Sequence, residues 1–314
     1  MNYIKQCIPI NILDVTIVGH IPDPDMAAGG QPTLVSALWL HEQIEKEGAS
    51  SKNIRILDTT FDRFKKIDTY EDCYLKEHIP TSLFFDLHKC VESTPEIPRN
   101  LPKETSFTDY VRSLGVWPDT HVIVYDRNDL VPAFRTWWLF RLYGHKKVTI
   151  LDGGLPKWKA DGYETSTDVP HVEKSNFVIT MDKSLLFTYD DMNENVTKSK
   201  SRQIVDTRKR DDPKMIDRKL DGGMIPMSKL LPYTDLFNTD LTMKSPQTIK
   251  ALFDGSGVDL SLPMVATCNT GMTACCVAAA RHILGESVPV YCGSWTEWRQ
   301  RAPEELKQRV EPDV

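Results

Sequence analysis

The chain has 314 residues, 38 basic and 44 acidic, for a formal net charge of −6. Apolar residues at 40% and charged residues at 26% exclude a disordered chain. No run approaches the roughly 18 unbroken apolar residues of a membrane helix, and the mild acidity gives no reason to expect nucleic acid.

In chain order, Met1 to His20 lack a basic start, a clean apolar core and a small-residue cleavage site, and are not rich in Arg and Ser. The apolar spacing then predicts a helix over 33–47 and a strand over 54–58. Pro95, Pro98 and Pro102 mark 86–104 as loop. A helix over 105–114, a strand over 121–125, a helix over 132–143 and a strand over 147–151 follow. The stretch 159–180 mixes Asp, Gly, Thr, Ser, Pro and Lys with little period and reads as a connection. Beyond it come strands at 203–206, 262–267 and 288–291 and helices at 246–253 and 273–284. Strands separated by helices of this length imply parallel βαβ units with helices on both faces of a sheet.

The pattern repeats. Ile56-Leu57-Asp58 recurs as Ile204-Val205-Asp206, and Glu77-His78-Ile79-Pro80 as Gly223-Met224-Ile225-Pro226. Val122 to Asp126 answers Met264 to Cys268, and Leu151-Asp152-Gly153-Gly154 with Trp158 answers Tyr291-Cys292-Gly293-Ser294 with Trp298. The order is preserved and the offset drifts slowly from 148 to 140 residues, as in a duplicated unit with small insertions. The division expected is a first domain at 1–165, a linker at 166–180 and a second domain at 181–314.

Seven cysteines, at 7, 73, 90, 268, 275, 276 and 292, are too few and odd in number for a disulfide framework and suit a reducing compartment. A cytoplasmic protein is expected, with mitochondria as an alternative. No Cys or His pair has zinc-site spacing, so no metal is expected. Cys268 stands apart. An apolar strand ends at it, Gly271 follows, and a small-residue helix begins near Thr273. The carboxyl end of a parallel strand is where ligands bind. The free N–H groups and dipole of the next helix favour a thiolate, the nucleophilic form of cysteine. A buried structural thiol is the competing reading; it suits Cys275 and Cys276, which lie inside the helix. An Arg six residues after the cysteine, required by cysteine phosphatases, is absent because position 274 is Ala.

Cys-x-x-Gly-x-Thr after an apolar strand, followed by Tyr291-Cys292-Gly293-Ser294-Trp295-Thr296-Glu297-Trp298, resembles the catalytic half of tandem rhodanese-type sulfurtransferases. The first half resembles the inactive domain of that family through Tyr74 to Pro80, Arg135-Thr136-Trp137-Trp138, and Leu151 to Gly154 with Trp158. The resemblance implies an α/β fold of two rhodanese-like domains, each a mainly parallel sheet flanked by helices on both faces. It implies transfer of a sulfane sulfur through a Cys268 persulfide, without a cofactor. The first copy has Asp126 at the cysteine position and could not carry that sulfur.

Thiosulfate-using members of the family place Arg and Lys after the cysteine, suiting a dianion, whereas mercaptopyruvate-using members have an uncharged loop. Cys268-Asn269-Thr270-Gly271-Met272-Thr273 is uncharged, so it leans toward 3-mercaptopyruvate, with Asn269, Gly271, Met272 and Thr273 shaping the site. The resemblance casts Thr270 and His78 as partners in activating the donor, with Asp68 and Asp72 both open as the acid behind His78. A donor carboxylate needs a cation. Residues 198–219 hold nine basic against four acidic side chains, and there Arg218 and Arg210 are the counterparts of the family's substrate arginines. Cys292 stands where the family usually has Asp, and packing is the expectation for it. The partners implied are a small anionic sulfur donor and a thiol acceptor, either a small thiol or a thioredoxin-like protein.

Overall fold

A computed structural model describes residues 31–48, 51–128, 130–217, 219 and 221–310. Among these residues ten strands, the longer ones rich in Val and Ile, form two five-stranded sheets. The first contains β1 (Leu34–Val35), β2 (Ile54–Asp58), β3 (Leu83–Phe84), β4 (His121–Tyr125) and β5 (Val148–Leu151), in the order β1-β5-β4-β2-β3. The second contains β6 (Leu186–Phe187), β7 (Gln203–Asp206), β8 (Ser228–Leu230), β9 (Met264–Thr267) and β10 (Val290–Tyr291), in the order β6-β10-β9-β7-β8. All pairings within them are parallel. Strand for strand the two orders are identical, so the repeat in the sequence is a repeat in topology.

Helices cover both faces of each sheet. They are α1 (Ala37–Glu47), α2 (Glu104–Ser113), α3 (Val131–Leu142), α4 (Gly154–Ala160), α5 (Tyr189–Glu194), α6 (Pro213–Ile216), α7 (Pro246–Gly255), α8 (Ala274–Ile283) and α9 (Ser294–Arg301). The helix expected from residue 33 begins at Ala37, because Leu34 and Val35 join the sheet and the Ser36 hydroxyl caps the amide of Trp39. Strands β1, β3, β6 and β8 and helices α4, α5, α6 and α9 go beyond the expectation, while the strand expected over 288–291 shortens to Val290–Tyr291. They are too short to carry a period and exist because a sheet edge or a core is there to receive them.

The outer faces bury separate cores, one around Leu40, Ile79 and Trp158, the other around Met192, Ile225 and Trp298. The inner faces share a single core. It runs from Phe107, Phe134 and Trp138 of the first unit to Ile249, Ala274 and Val277 of the second, with α3 packed on α8. A helix buried on all sides is apolar all round, and α3 is buried at Val131 through Phe140 and at Leu142. The small residues Ala274 to Ala280 of α8 leave room for the Trp and Phe side chains of α3. Among the described residues, no helix is long and apolar enough to cross a membrane.

The connection 159–180 is more than a tether. After α4 it has no regular helix, but Ser166 exchanges main-chain hydrogen bonds with His78 (2.9 and 2.8 Å). The Arg112 Nε donates to the carbonyl of Phe177 at 2.8 Å, and the Phe177 ring is buried in the shared core. The segment straps itself to the first unit before entering the second.

A second tie between the units is polar. The Asp152 Oδ1, just past β5, accepts the amide of Met243 at 2.7 Å. Enclosure of this carboxyl raises its pKa from the ordinary 3.8 to about 7, with the Met243 amide opposing the shift. The folded protein therefore keeps a proton that the unfolded chain releases near pH 4, and stability falls as pH climbs from about 4 to about 7. Asp152→Asn keeps the acceptor oxygen and removes the titration. Its melting temperature, measured alongside the wild type from pH 4 to 8, is expected to match at the acid end and to be higher above pH 7. A difference independent of pH would contradict this assignment.

Candidate active site

The order of each sheet reverses direction between its second and fourth strands, and ligands bind at such a reversal, beyond the carboxyl ends of the strands. In the second unit this places the segment after β9, beginning with Cys268, beside the segment after β7, which holds Thr207 and Arg208. Cys268 is 2% exposed. Its sulfur accepts the amide N–H of Gly271 at 3.1 Å and lies 3.9 Å from the Ser294 hydroxyl. Gly271 is required twice over. Its φ of +74° is the left-handed region, and an added Cβ would sit 2.5 Å from the carbonyl oxygen of Cys292.

The loop is clamped from two sides. From its own unit, the first turn of α9 supplies free amides, with Trp295 N–H donating to the Cys268 carbonyl (3.1 Å) and Thr296 N–H to the Asn269 carbonyl (3.0 Å). The Ser294 Oγ accepts the Cys268 amide at 3.1 Å and donates to the Tyr291 carbonyl at 2.8 Å. From the other unit, Arg135 of α3 reaches across. Its guanidinium donates to the Gly271 carbonyl (3.2 Å), the Cys292 sulfur (3.3 Å) and the Arg99 carbonyl (3.1 Å). Burial works against the charge on Arg135, but the sulfurs of Cys292 and Cys275 outweigh it and its pKa is raised.

Cations also approach the thiol from the β7 side. Arg208, 4% exposed, is held by Asp206 (Nη2 to Oδ2, 2.6 Å) and donates to the carbonyls of Lys214 and Gly223. Burial lowers the Arg208 pKa, but Asp206 and, further off, Cys268 raise it overall. The pKa of the Lys214 ammonium is held below the usual lysine range by partial burial and then by Arg63 of the first unit, although the residue is exposed. The site thus combines a recessed thiol, an N–H aimed at it and positive charge from both units. That arrangement favours a nucleophilic sulfur and an anionic reactant.

The other expected residues divide. Asn269 and Thr270 are half-buried in the loop; Met272 packs on the shared core, and the Thr273 hydroxyl bonds that of Thr207 at 2.6 Å. His78 is not brought to the loop. Its ring nitrogens face the carbonyls of Tyr74 (2.7 Å) and Asp168 (3.1 Å), and its ring stacks on Tyr74 at 4.1 Å. The expected acids are engaged elsewhere, Asp68 with the amides of Tyr70 and Glu71, Asp72 with Lys76 and the Asp68 amide. This corrects the expected role of His78: it fastens the connecting strap to its own unit. Arg210 is exposed, and Arg218 lies outside the described residues. Cys275 and Cys276 are fully buried, and burial pushes the Cys275 thiol up to about 12. Arg135, Arg208 and Ser294 were not singled out from sequence, although each lies in or beside a motif that was.

The rhodanese-like domain pattern matches residues 36–161, within the first unit. Thiosulfate sulfurtransferase of Cricetulus griseus is 38% identical over 282 residues, covering 87% of this chain and 94% of that one. The 3-mercaptopyruvate sulfurtransferase of Mus musculus is 39% identical over 280 residues, covering 87% and 93%. The chain belongs to the rhodanese-type sulfurtransferases. Among solved structures, SseA of Escherichia coli, a 3-mercaptopyruvate sulfotransferase, is 29% identical and superposes with a TM-score of 0.74 over 84% of this chain and 99% of that one. Tum1 of Saccharomyces cerevisiae, at 24% identity and a TM-score of 0.79, shares the fold. As a member of this family the chain is an enzyme, a transferase of sulfur.

Two substitutions test the clamp in this sulfurtransferase. Gly271→Ala forces a side chain into the Cys292 carbonyl and is expected to cost on the order of 100-fold in sulfur transfer through misplacement of the thiol. Ser294→Ala strands the buried Cys268 amide and is expected to cost about 1–3 kcal/mol in urea unfolding.

Proposed function

We propose that the enzyme takes sulfur from 3-mercaptopyruvate onto Cys268 and passes it to a thiol or cyanide. The observation that carries this reading is the recessed Cys268 sulfur, with the Gly271 N–H at 3.1 Å, in a loop without a charged side chain from Asn269 to Thr273. The Cys268 thiolate attacks the donor sulfur and an S–S bond forms. The donor C–S bond breaks, its electron pair leaves as the enolate of pyruvate, and water protonates that carbon. The Gly271 N–H stabilises negative charge on the Cys268 sulfur before attack and again after the outer sulfur departs. Asn269, Gly271, Met272 and Thr273 shape the loop that holds the donor, and the Thr270 hydroxyl takes the role in donor activation that His78 does not fill. Lys214 and Arg208 are the cations best placed for the donor carboxylate, with Arg210 as an exposed outer cation; Arg218 belongs to the same basic run.

Thiosulfate is the second reading, favoured by the same cations and by the near-equal identity to relatives of both names, 38% and 39%. The ratio of kcat/KM for the two donors decides between them, and 3-mercaptopyruvate is expected to be the better. Mass spectrometry after donor treatment is expected to find one added sulfur on Cys268. Cys268→Ser is expected to abolish both the added mass and the turnover; full transfer by that variant would end the proposal.

A further inference from the structure

Asp62 organises an exposed loop of the first unit. Its Oδ1 accepts the amide of Phe64 (2.9 Å), and its Oδ2 accepts those of Lys66 (2.6 Å) and Ile67 (3.1 Å). Lys65, at φ +52°, turns the chain and donates its amide to the Asp62 carbonyl. One carboxylate thus gathers three amides and fixes the loop before any partner arrives, which removes an ordering cost from binding. On this frame Phe64 is 63% exposed and Ile67 is 51% exposed. The Arg63 guanidinium lies 4.6 Å from the Phe64 ring centre and the Lys66 ammonium 5.3 Å from it. An exposed aromatic flanked by Arg and Lys on a rigid turn has the composition of an interface anchor. Arg63, Lys65 and Lys66 are exposed around Phe64, while the exposed acids Asp68, Glu71 and Asp72 follow further along the chain, Asp68 and Asp72 accepting neighbouring amides and Asp72 also pairing with Lys76.

The loop is also tied to the reacting thiol. The Arg99 Nη2 donates to the Arg63 carbonyl at 3.1 Å, and the Arg135 Nη2 donates to the Arg99 carbonyl at 3.1 Å. The same guanidinium holds the Gly271 carbonyl, and Gly271 N–H holds the Cys268 sulfur. A small acceptor needs no apolar knob on the rim. A protein acceptor must bring a thiol to Cys268, a residue only 2% exposed, and so must contact the surface around it.

We propose that the Arg63–Ile67 loop is the docking knob for a protein acceptor whose reactive thiol is surrounded by acidic and apolar surface. The inference rests on the sulfur-transfer reading above. In the docked pair the acceptor thiolate attacks the outer sulfur of Cys268. A new S–S bond forms on the acceptor, the old one breaks, and its electron pair returns to the Cys268 sulfur. Basic side chains around Phe64 steer the acidic partner, and the ring supplies the buried contact.

The experiment uses the full chain, an acidic thioredoxin as the probe, and the variants Phe64→Ala and Lys65→Glu/Lys66→Glu. Cys268 is first loaded with sulfur and checked by mass, then unloaded with reduced thioredoxin or with cyanide. Binding of a thioredoxin lacking its reactive thiol to the resting enzyme is measured in parallel. Both variants are expected to lose about tenfold or more in kcat/KM and in affinity with thioredoxin, while the cyanide rate is unchanged. Added salt is expected to slow the wild type more than the charge-reversed variant. Equal loss with both acceptors would make the loop a support of the active site and overturn the proposal. Unchanged thioredoxin rate and affinity would overturn it too, as would conversion of a dimer to a monomer by Phe64→Ala with the thioredoxin rate intact. Failure of Cys268 to load would count against the persulfide reading, and the affinity measurement on the resting enzyme would still decide the docking site.

Discussion

The arrangement turns on one buried guanidinium. Arg135 is 1% exposed, and it reaches from the first unit into the thiol loop of the second. Taking a cation out of water costs several kcal/mol unless every donor is matched. Here the matches are the carbonyls of Gly271 and Arg99 and the sulfur of Cys292. Each belongs to a different piece of the wall around Cys268, so satisfying the cation fixes those pieces relative to one another. The first unit has Asp126 where the second has Cys268, yet removing that unit would leave the Gly271 carbonyl with only the weak Cys275 thiol donor. The shared core between α3 and α8 supplies the adhesion, and Arg135 supplies the register.

Much of this was legible in the sequence, for identifiable reasons. The strands at 54–58, 121–125 and 203–206 are β-branched runs with turn signals at their ends, and they appear at those positions. The thiol loop was legible because a strand, a glycine and a small-residue helix in succession leave few alternatives. Edge strands such as Leu34–Val35 were not, since two residues have no period. His78 was misread because its motif names the residue but not the direction of its ring, which points to the strap rather than the thiol. In the sequence Arg135 stands in a mostly apolar helix among Phe134, Trp137 and Trp138. Nothing local says that its charge will be met by carbonyls and a sulfur from residues 99, 271 and 292. Such contacts are decided by how the two units meet, a long-range property that pattern and spacing do not carry.

The two thiol-position loops show what the fold does with one geometry. After β4, the Asp126 carboxylate takes the place of the cysteine and accepts the amides of Asn128 (2.9 Å), Leu130 (3.2 Å) and Ala133 (3.1 Å). After β9, the same strand–loop–helix path points the Gly271 amide at sulfur. Converging amides are an anion receptor whatever the anion is. The first copy has filled the receptor with a charge that is part of its own chain.

That filling has a consequence for the economy of the reaction. Asp126 is a plug: fully buried and held by three amides, it occupies the place a donor anion would seek. A duplicated protein with two open receptors would divide its donor between a productive loop and an idle one. Under the proposed function, with one receptor sealed from within, the Cys268 loop is left as the address for sulfur. On that reading Asp126 does more than leave the first copy without a thiol there; it removes a competitor from beside the loop proposed to work.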